Sequence, residues 1–197
     1  MKRILNPKKK AIIALRAKIR KSNHLFKKAK PAQRRVMIAK DILKWLDTPL
    51  IEPARRTGYL VTEVNLCHSD PKEKVDNVLI DIAGDCTVCA KGAFFVATAM
   101  RMDALTMKSF DGDLDDPQAH RTYMERMGVM SRGINGSVLW NYLEREFESG
   151  EHATSREAML VVCFAMIDGK GNPQTPDFLR AREKARNFSE GKKPSVL

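Results

Sequence analysis

Two sets of residues in this chain have the type and spacing to do chemistry. The first is the pair Cys86-Thr87-Val88-Cys89, inside the run Gly84-Asp85-Cys86-Thr87-Val88-Cys89-Ala90-Lys91-Gly92-Ala93. Thiols at this spacing can ligate zinc or cycle as a redox pair, and a helix N-terminus lowers their pKa for either task. Zinc needs two more ligands. Cys67 and His68 are adjacent, and neighbours in sequence seldom both reach one metal; Cys163 is a substitute from elsewhere in the chain. A redox pair of the thioredoxin kind would want a preceding strand and a flanking aromatic ring, and neither is evident. The plainest reading is structural. Small residues at 86, 89, 90, 92, 93 and 97 let a central helix approach its neighbours closely.

The second set is cationic: Lys8, Lys9, Lys10, Arg16, Lys18, Arg20, Lys21, Lys27, Lys28, Lys30, Arg34 and Arg35. Residues 1–44 hold 16 Lys/Arg against one acid, Asp41, a net charge of +15. Residues 45–178 carry −8, and residues 179–197 carry +4. A basic arm on a mildly acidic body points to a polyanionic partner, with nucleic acid or a nucleoprotein complex first among them. Each phosphate contact releases condensed counterions, so such binding weakens steeply with salt. Phe26 is the only ring before Trp45, which leaves little for stacking on single-stranded bases. An acidic protein surface, on a host protein or on this chain's own body, is the other polyanion that fits.

Other candidates fail on inspection. Asp111-Gly112-Asp113-Leu114-Asp115-Asp116 opens like a calcium loop, but its sixth position is Asp116 and its twelfth Thr122, where glycine and a bidentate glutamate are required. Asp168-Gly169-Lys170-Gly171-Asn172 fails likewise and reads as a helix stop and turn. His24, His68, His120 and His152 have no Ser, Cys or carboxylate at a spacing that signals a catalytic group. No glycine-rich phosphate loop occurs, so no catalytic residue is assigned.

The elements that must position these residues read as mainly α, with α+β as the alternative. Pro7 opens a helix over about 8–22, with Ile12, Leu15 and Ile19 on one stripe. Ser22-Asn23 is a break, and Leu25-Phe26 anchors a linker. Pro31 starts a second helix that ends at Asp47-Thr48-Pro49. Residues 58–64 are the best strand candidate, and Val75–Ala83 is a short strand or a helical turn. Residues 86–107 form a long central helix, apolar on most sides. Further helices are expected near 117–127 and 137–147, then after the capping box Thr154–Glu157, and from 175 to about 187. The organisation expected is a basic helical arm, residues 1–30, on a single helical domain, 31–197, with a weakly basic last helix and tail. A helix of about 15 residues is marginal alone in water, so the arm is expected to order on contact.

The chain's length is enough to bury a core without disulfides, and no stretch reaches the roughly 18 apolar residues of a membrane span. The stretch Met1-Lys2-Arg3-Ile4-Leu5-Asn6-Pro7 runs into lysines without an apolar stretch of the needed length, so no secretory signal is expected from it. A reducing, cytoplasmic setting is therefore expected, with the cysteines as thiols or metal ligands.

Two stretches, Ile38-Ala39-Lys40-Asp41-Ile42-Leu43 followed by Gly58-Tyr59, and Cys86–Ala93, resemble a group of uncharacterised phage-borne and bacterial proteins. The likeness covers about residues 36–100 and leaves the basic arm outside. It implies context rather than chemistry: a small accessory protein of a bacterium or phage-infected cell, of a kind that engages host machinery. Three expectations follow: a nucleic-acid-binding accessory protein, a modulator docked on a host protein, or a zinc or thiol-redox protein using Cys86 and Cys89.

Overall fold

The computed structural model describes residues 6–56, 60–62, 70–102, 105–110, 114, 116–130, 134–171 and 177–191. Among these it is mainly helical: α1 (Pro7–Arg20), α2 (Asn23–Lys28), α3 (Pro31–Trp45), α4 (Val75–Asp81), α5 (Ala90–Arg101), α6 (Pro117–Arg126), α7 (Ile134–Glu148), α8 (Ser155–Asp168) and α9 (Phe178–Ser189). A short 3-10 turn covers Met107–Phe110, and among the described residues two strands, β1 (Leu60–Thr62) and β2 (Cys86–Val88), make a small sheet.

Several helix starts are set by side chains that satisfy otherwise unpaired backbone donors. Asn6 accepts from the Lys8 amide at 3.0 Å ahead of Pro7. Asp116 accepts from Gln118 at 2.8 Å ahead of Pro117. Thr154 accepts from Glu157 at 3.0 Å, and the Glu157 carboxylate returns to the Ala153 amide at 2.9 Å. Asp177 accepts from Arg180 at 3.0 Å, so the last helix begins at Phe178 rather than near 175.

Two helices, not one, form the centre. On α5 every residue but Lys91 is buried. On α8 the run Ala158–Met166 is buried throughout. Helix α5 packs on α3, α4, α6, α7 and α1, while α8 packs on α3, α7 and α9. The long helix expected over 86–107 is shorter at both ends. Cys86-Thr87-Val88 is extended and pairs antiparallel with β1, Leu60 opposite Val88 and Thr62 opposite Cys86. Val88 also donates to the Glu52 carbonyl and accepts from the Ala54 amide, each at 3.0 Å. Two β-branched residues with ladder partners on both sides favour the extended state, and the helix starts after Cys89 caps it. Val75–Asp81, whose pattern suits either a strand or a helix, is helical.

The basic N-terminal helix is packed on the body rather than projecting from it. Ile12 and Ile19 are buried where α1 meets α4 and α5. Arg16 and Arg20 both reach the buried carboxylate of Asp76, at 2.6 and 2.7 Å. The apolar stripe therefore has its partner within the chain, and helicity does not wait for a ligand.

Candidate nucleic-acid interface

Folding sorts the twelve N-terminal cations by type. The arginines are used inside the chain. Arg34 donates to four carbonyls: Phe26 at 3.1 Å, Ala29 at 3.0 Å, Lys27 at 2.8 Å and Met127 at 2.8 Å. Three of these lie at the end of α2, where helix carbonyls lack intrahelical donors. Arg35 is buried and donates to the Gly171 carbonyl at 2.5 Å, which ties α3 to the end of α8. Arg20 adds a bond to the Met100 carbonyl at 3.0 Å. A planar guanidinium with five donors suits this role, because it can satisfy several acceptors at once.

The lysines, with one exception, face water. Lys9 bonds Asp81 at 2.8 Å. Lys8, Lys10, Lys18, Lys21, Lys27, Lys28 and Lys30 are exposed, with no ion-pair partner among the described residues. On α1 Lys10 and Lys18 share the outward side with Ala11, Ala14 and Ala17, away from Ile12 and Ile19, while Lys8 is exposed in the first turn on the Ile12–Ile19 row. No acid precedes Asp41 in sequence, and of the acids paired with α1, Asp76 takes Arg16 and Arg20 while Asp81 takes Lys9. Phe26 is not available for stacking. It is 1% exposed, with the guanidiniums of Arg34 and Arg101 at 5.4 and 5.2 Å from its ring centre.

Cys86 and Cys89 are both buried, one in β2 and one at the start of α5. The Cys89 sulfur accepts from the Gly92 amide at 3.5 Å. Burial, and then the neighbouring Glu144 carboxylate, push the Cys89 thiol up to about 12. Complete burial raises Cys163 as well. Burial likewise raises the Glu144 carboxyl, against the pull of Lys91 at 3.5 Å. The helix N-terminus, expected to lower the thiol, is outweighed by desolvation. Among the described residues no three His, Cys, Asp or Glu side chains converge to hold a metal ion. Cys67, His68 and residues 111–113 and 115 lie outside the described residues. At pH 7.5 Cys89 should therefore alkylate with iodoacetamide roughly 10³-fold more slowly in the native protein than in urea, from the thiolate fraction alone. Peptide mapping by mass spectrometry checks this, and rapid native labelling would favour the redox reading.

The described histidines serve the fold or lie exposed. His120 is buried, its Nε2 2.6 Å from the Leu114 carbonyl and its ring stacked 3.8 Å from Phe95. His152 meets Glu146 at 3.1 Å, and Glu146 also receives Arg182 from α9 at 2.7 and 2.8 Å. His24 is exposed.

One further cation near this surface has no sequence signal. Lys170, in the turn after α8, has φ +51° and lies beside α2 and α3. The motif Asp168–Asn172 signals a helix stop but not what the stop abuts. Compared with protein-family models, curated proteins and solved structures, the chain finds no match. None of the helices among the described residues is long and apolar enough to cross a membrane.

Proposed function

We propose that this chain is a non-enzymatic accessory protein that contacts the phosphate backbone of nucleic acid, free or within a nucleoprotein complex, in the cytoplasm of a bacterial or phage-infected cell. The contacts are made by Lys8, Lys10, Lys18, Lys21, Lys27, Lys28 and Lys30. The observation that carries this reading is the division of labour among the cations: the arginines are bonded within the fold, and seven lysines stand exposed without a partner among the described residues. Lysine is a point charge on a flexible stem. It binds phosphate but does not read guanine edges bidentately as arginine does. The proposed binding is accordingly independent of base sequence.

Deleting residues 1–30 is the wrong test, since it removes Ile12, Ile19 and Phe26 from the core. Replacing the seven exposed lysines by glutamine leaves the core intact. Wild-type affinity for a labelled duplex should fall by about 10³-fold between 50 and 200 mM salt if roughly six phosphates are contacted. The seven-lysine variant should lose most of that affinity at 50 mM salt and show a nearly flat salt dependence. Fluorescence anisotropy with duplex DNA and with duplex RNA reads both. An unchanged slope in the variant would sink the reading.

A further inference from the structure

We propose that a groove between α2, α3 and the C-terminal end of α8 docks an acidic, amphipathic helix of a partner protein. This surface is separate from the phosphate-binding field above, although Lys28 borders both.

The groove encloses about 690 Å³. Its floor is apolar: Leu25, Ala29, Val36, Met37 and Ile167. Its rim is cationic: Lys28, Lys40 and Lys170, with Gln33 the remaining polar side chain and no acid in the lining. Leu25 is 55% exposed while the next residue, Phe26, is 1% exposed. Successive helix residues point about 100° apart, so α2 turns one large apolar side chain into the core and the other into this groove. Leu25 is continuous with four half-buried apolar side chains, so an apolar side chain laid in the groove meets apolar contact along its length. Met37 makes the floor adaptable to different partner side chains.

The charge of the rim identifies the occupant. None of Lys28, Lys40 and Lys170 has an ion-pair partner among the described residues. An apolar stripe flanked by Asp or Glu satisfies floor and rim together, which is the helix-in-groove mode read out at i, i+3 or i+4, and i+7. A phosphate backbone would meet the lysines but leave Leu25, Val36, Met37 and Ile167 without apolar contact, so a partner that carries an apolar stripe beside its acids fits the lining better. The chain's own tail carries Lys192 and Lys193, the wrong charge for this rim. The walls are held in place beforehand. The Arg35–Gly171 bond of 2.5 Å fixes the end of α8 against α3, so little ordering is left for the binding step.

The test is a display library of helical 20-residue peptides with randomised faces, selected on the full-length protein and counter-selected on Leu25→Glu/Met37→Glu. Both positions are at least partly exposed, and circular-dichroism melting verifies that this variant folds. Enriched peptides should carry apolar residues at helical spacing flanked by Asp or Glu. They should bind in roughly the micromolar range and weaken at least about 10-fold on Leu25→Glu/Met37→Glu. Lys40→Gln/Lys170→Gln should weaken them about 3- to 10-fold and flatten their salt dependence. The charge-neutral variant Leu25→Gln/Met37→Gln should lose peptide binding and keep duplex binding and its salt slope unchanged, which separates this inference from the phosphate reading. Enrichment of neutral or basic peptides overturns the proposal, as does a failure to enrich any peptide that distinguishes wild type from Leu25→Glu/Met37→Glu. Self-association in sedimentation that disappears with Leu25→Glu/Met37→Glu also overturns it, by making a second copy the occupant.

Discussion

Replacing Arg101 by methionine should lower the unfolding free energy by about 3–5 kcal/mol, the usual cost of stranding one member of a buried ion pair. Arg101 is 3% exposed and Asp41 is 1% exposed. The guanidinium reaches the carboxylate at 2.6 and 2.8 Å and the Ser22 hydroxyl at 3.0 Å. Asn23 returns a bond to the Arg101 carbonyl at 2.7 Å. One side chain thus links α5 to α3 and to the start of α2. Methionine keeps much of the volume but leaves Asp41 only Lys44, at 3.6 Å. The matching double variant, Asp41→Leu/Arg101→Met, removes both charges and should recover most of the loss. Recovery would show that the single variant suffers from an uncompensated charge, whereas equal losses would point to packing.

The pH dependence has a definite sign. Burial raises the Asp41 carboxyl above its ordinary value, with Arg101 and then Lys44 pulling it down. A folded-state pKa above the unfolded one means the native state holds its proton longer. Its stabilising share is present below the unfolded value of about 3.9 and is lost as pH rises through the folded value. Losing Arg101 removes the largest downward pull, so the deficit of Arg101→Met should be smaller near pH 4 than at pH 7. Urea denaturation at the two pH values measures it.

The parts of the fold legible in sequence are those written in local chemistry. Pro31, Pro117 and the Thr154–Glu157 box mark helix starts that the structure keeps. The all-apolar run in α5 marks a central helix, although Cys86-Thr87-Val88, expected within it, forms a strand instead. That tripeptide is compatible with either helical or strand period, and three residues are too few to choose. Its ladder partners, Glu52 to Ala54 and Leu60, are distant in sequence, so only tertiary pairing decides. The capping box marks α8 as a helix, but nothing local marks it as the second central one.

The candidate site was legible as charge and not as geometry. Counting Lys and Arg finds the basic segment, and no count shows which cations the fold will use. The acceptors lie far along the chain: Asp76 for Arg16 and Arg20, Met127 for Arg34, Gly171 for Arg35. One chemical signal was available. Arginine's fork can satisfy scattered carbonyls whereas lysine stays hydrated, so in a mixed basic helix the arginines are the better candidates for internal bonds. The groove left no sequence signature, because its walls come from α2, α3 and the turn after α8.

Gly171→Ala should be among the most damaging single-methyl additions this chain can receive, at more than about 4 kcal/mol, the range reserved for clashes that cannot relax. Gly171 follows α8 with φ +69°, a conformation that costs an alanine about 1–2 kcal/mol by itself. Steric contact costs more. A Cβ there would sit 1.8 Å from the Ala32 carbonyl oxygen and 2.6 Å from its carbon. That oxygen belongs to the first turn of α3 and cannot swing away like the tip of a side chain. Relief requires α3 and the end of α8 to separate, and separation breaks the Arg35–Gly171 bond. Gly84→Ala supplies the comparison. Gly84 has φ +95°, but its nearest neighbour would be the Pro49 Cβ at an ordinary 3.7 Å, so only the backbone strain applies. In urea denaturation Gly171→Ala should exceed Gly84→Ala by more than about 2 kcal/mol, the difference between a clash and a strained φ alone. Equal losses would mean that the α3–α8 junction yields cheaply, and the preorganised wall of the groove would then have to be abandoned with it.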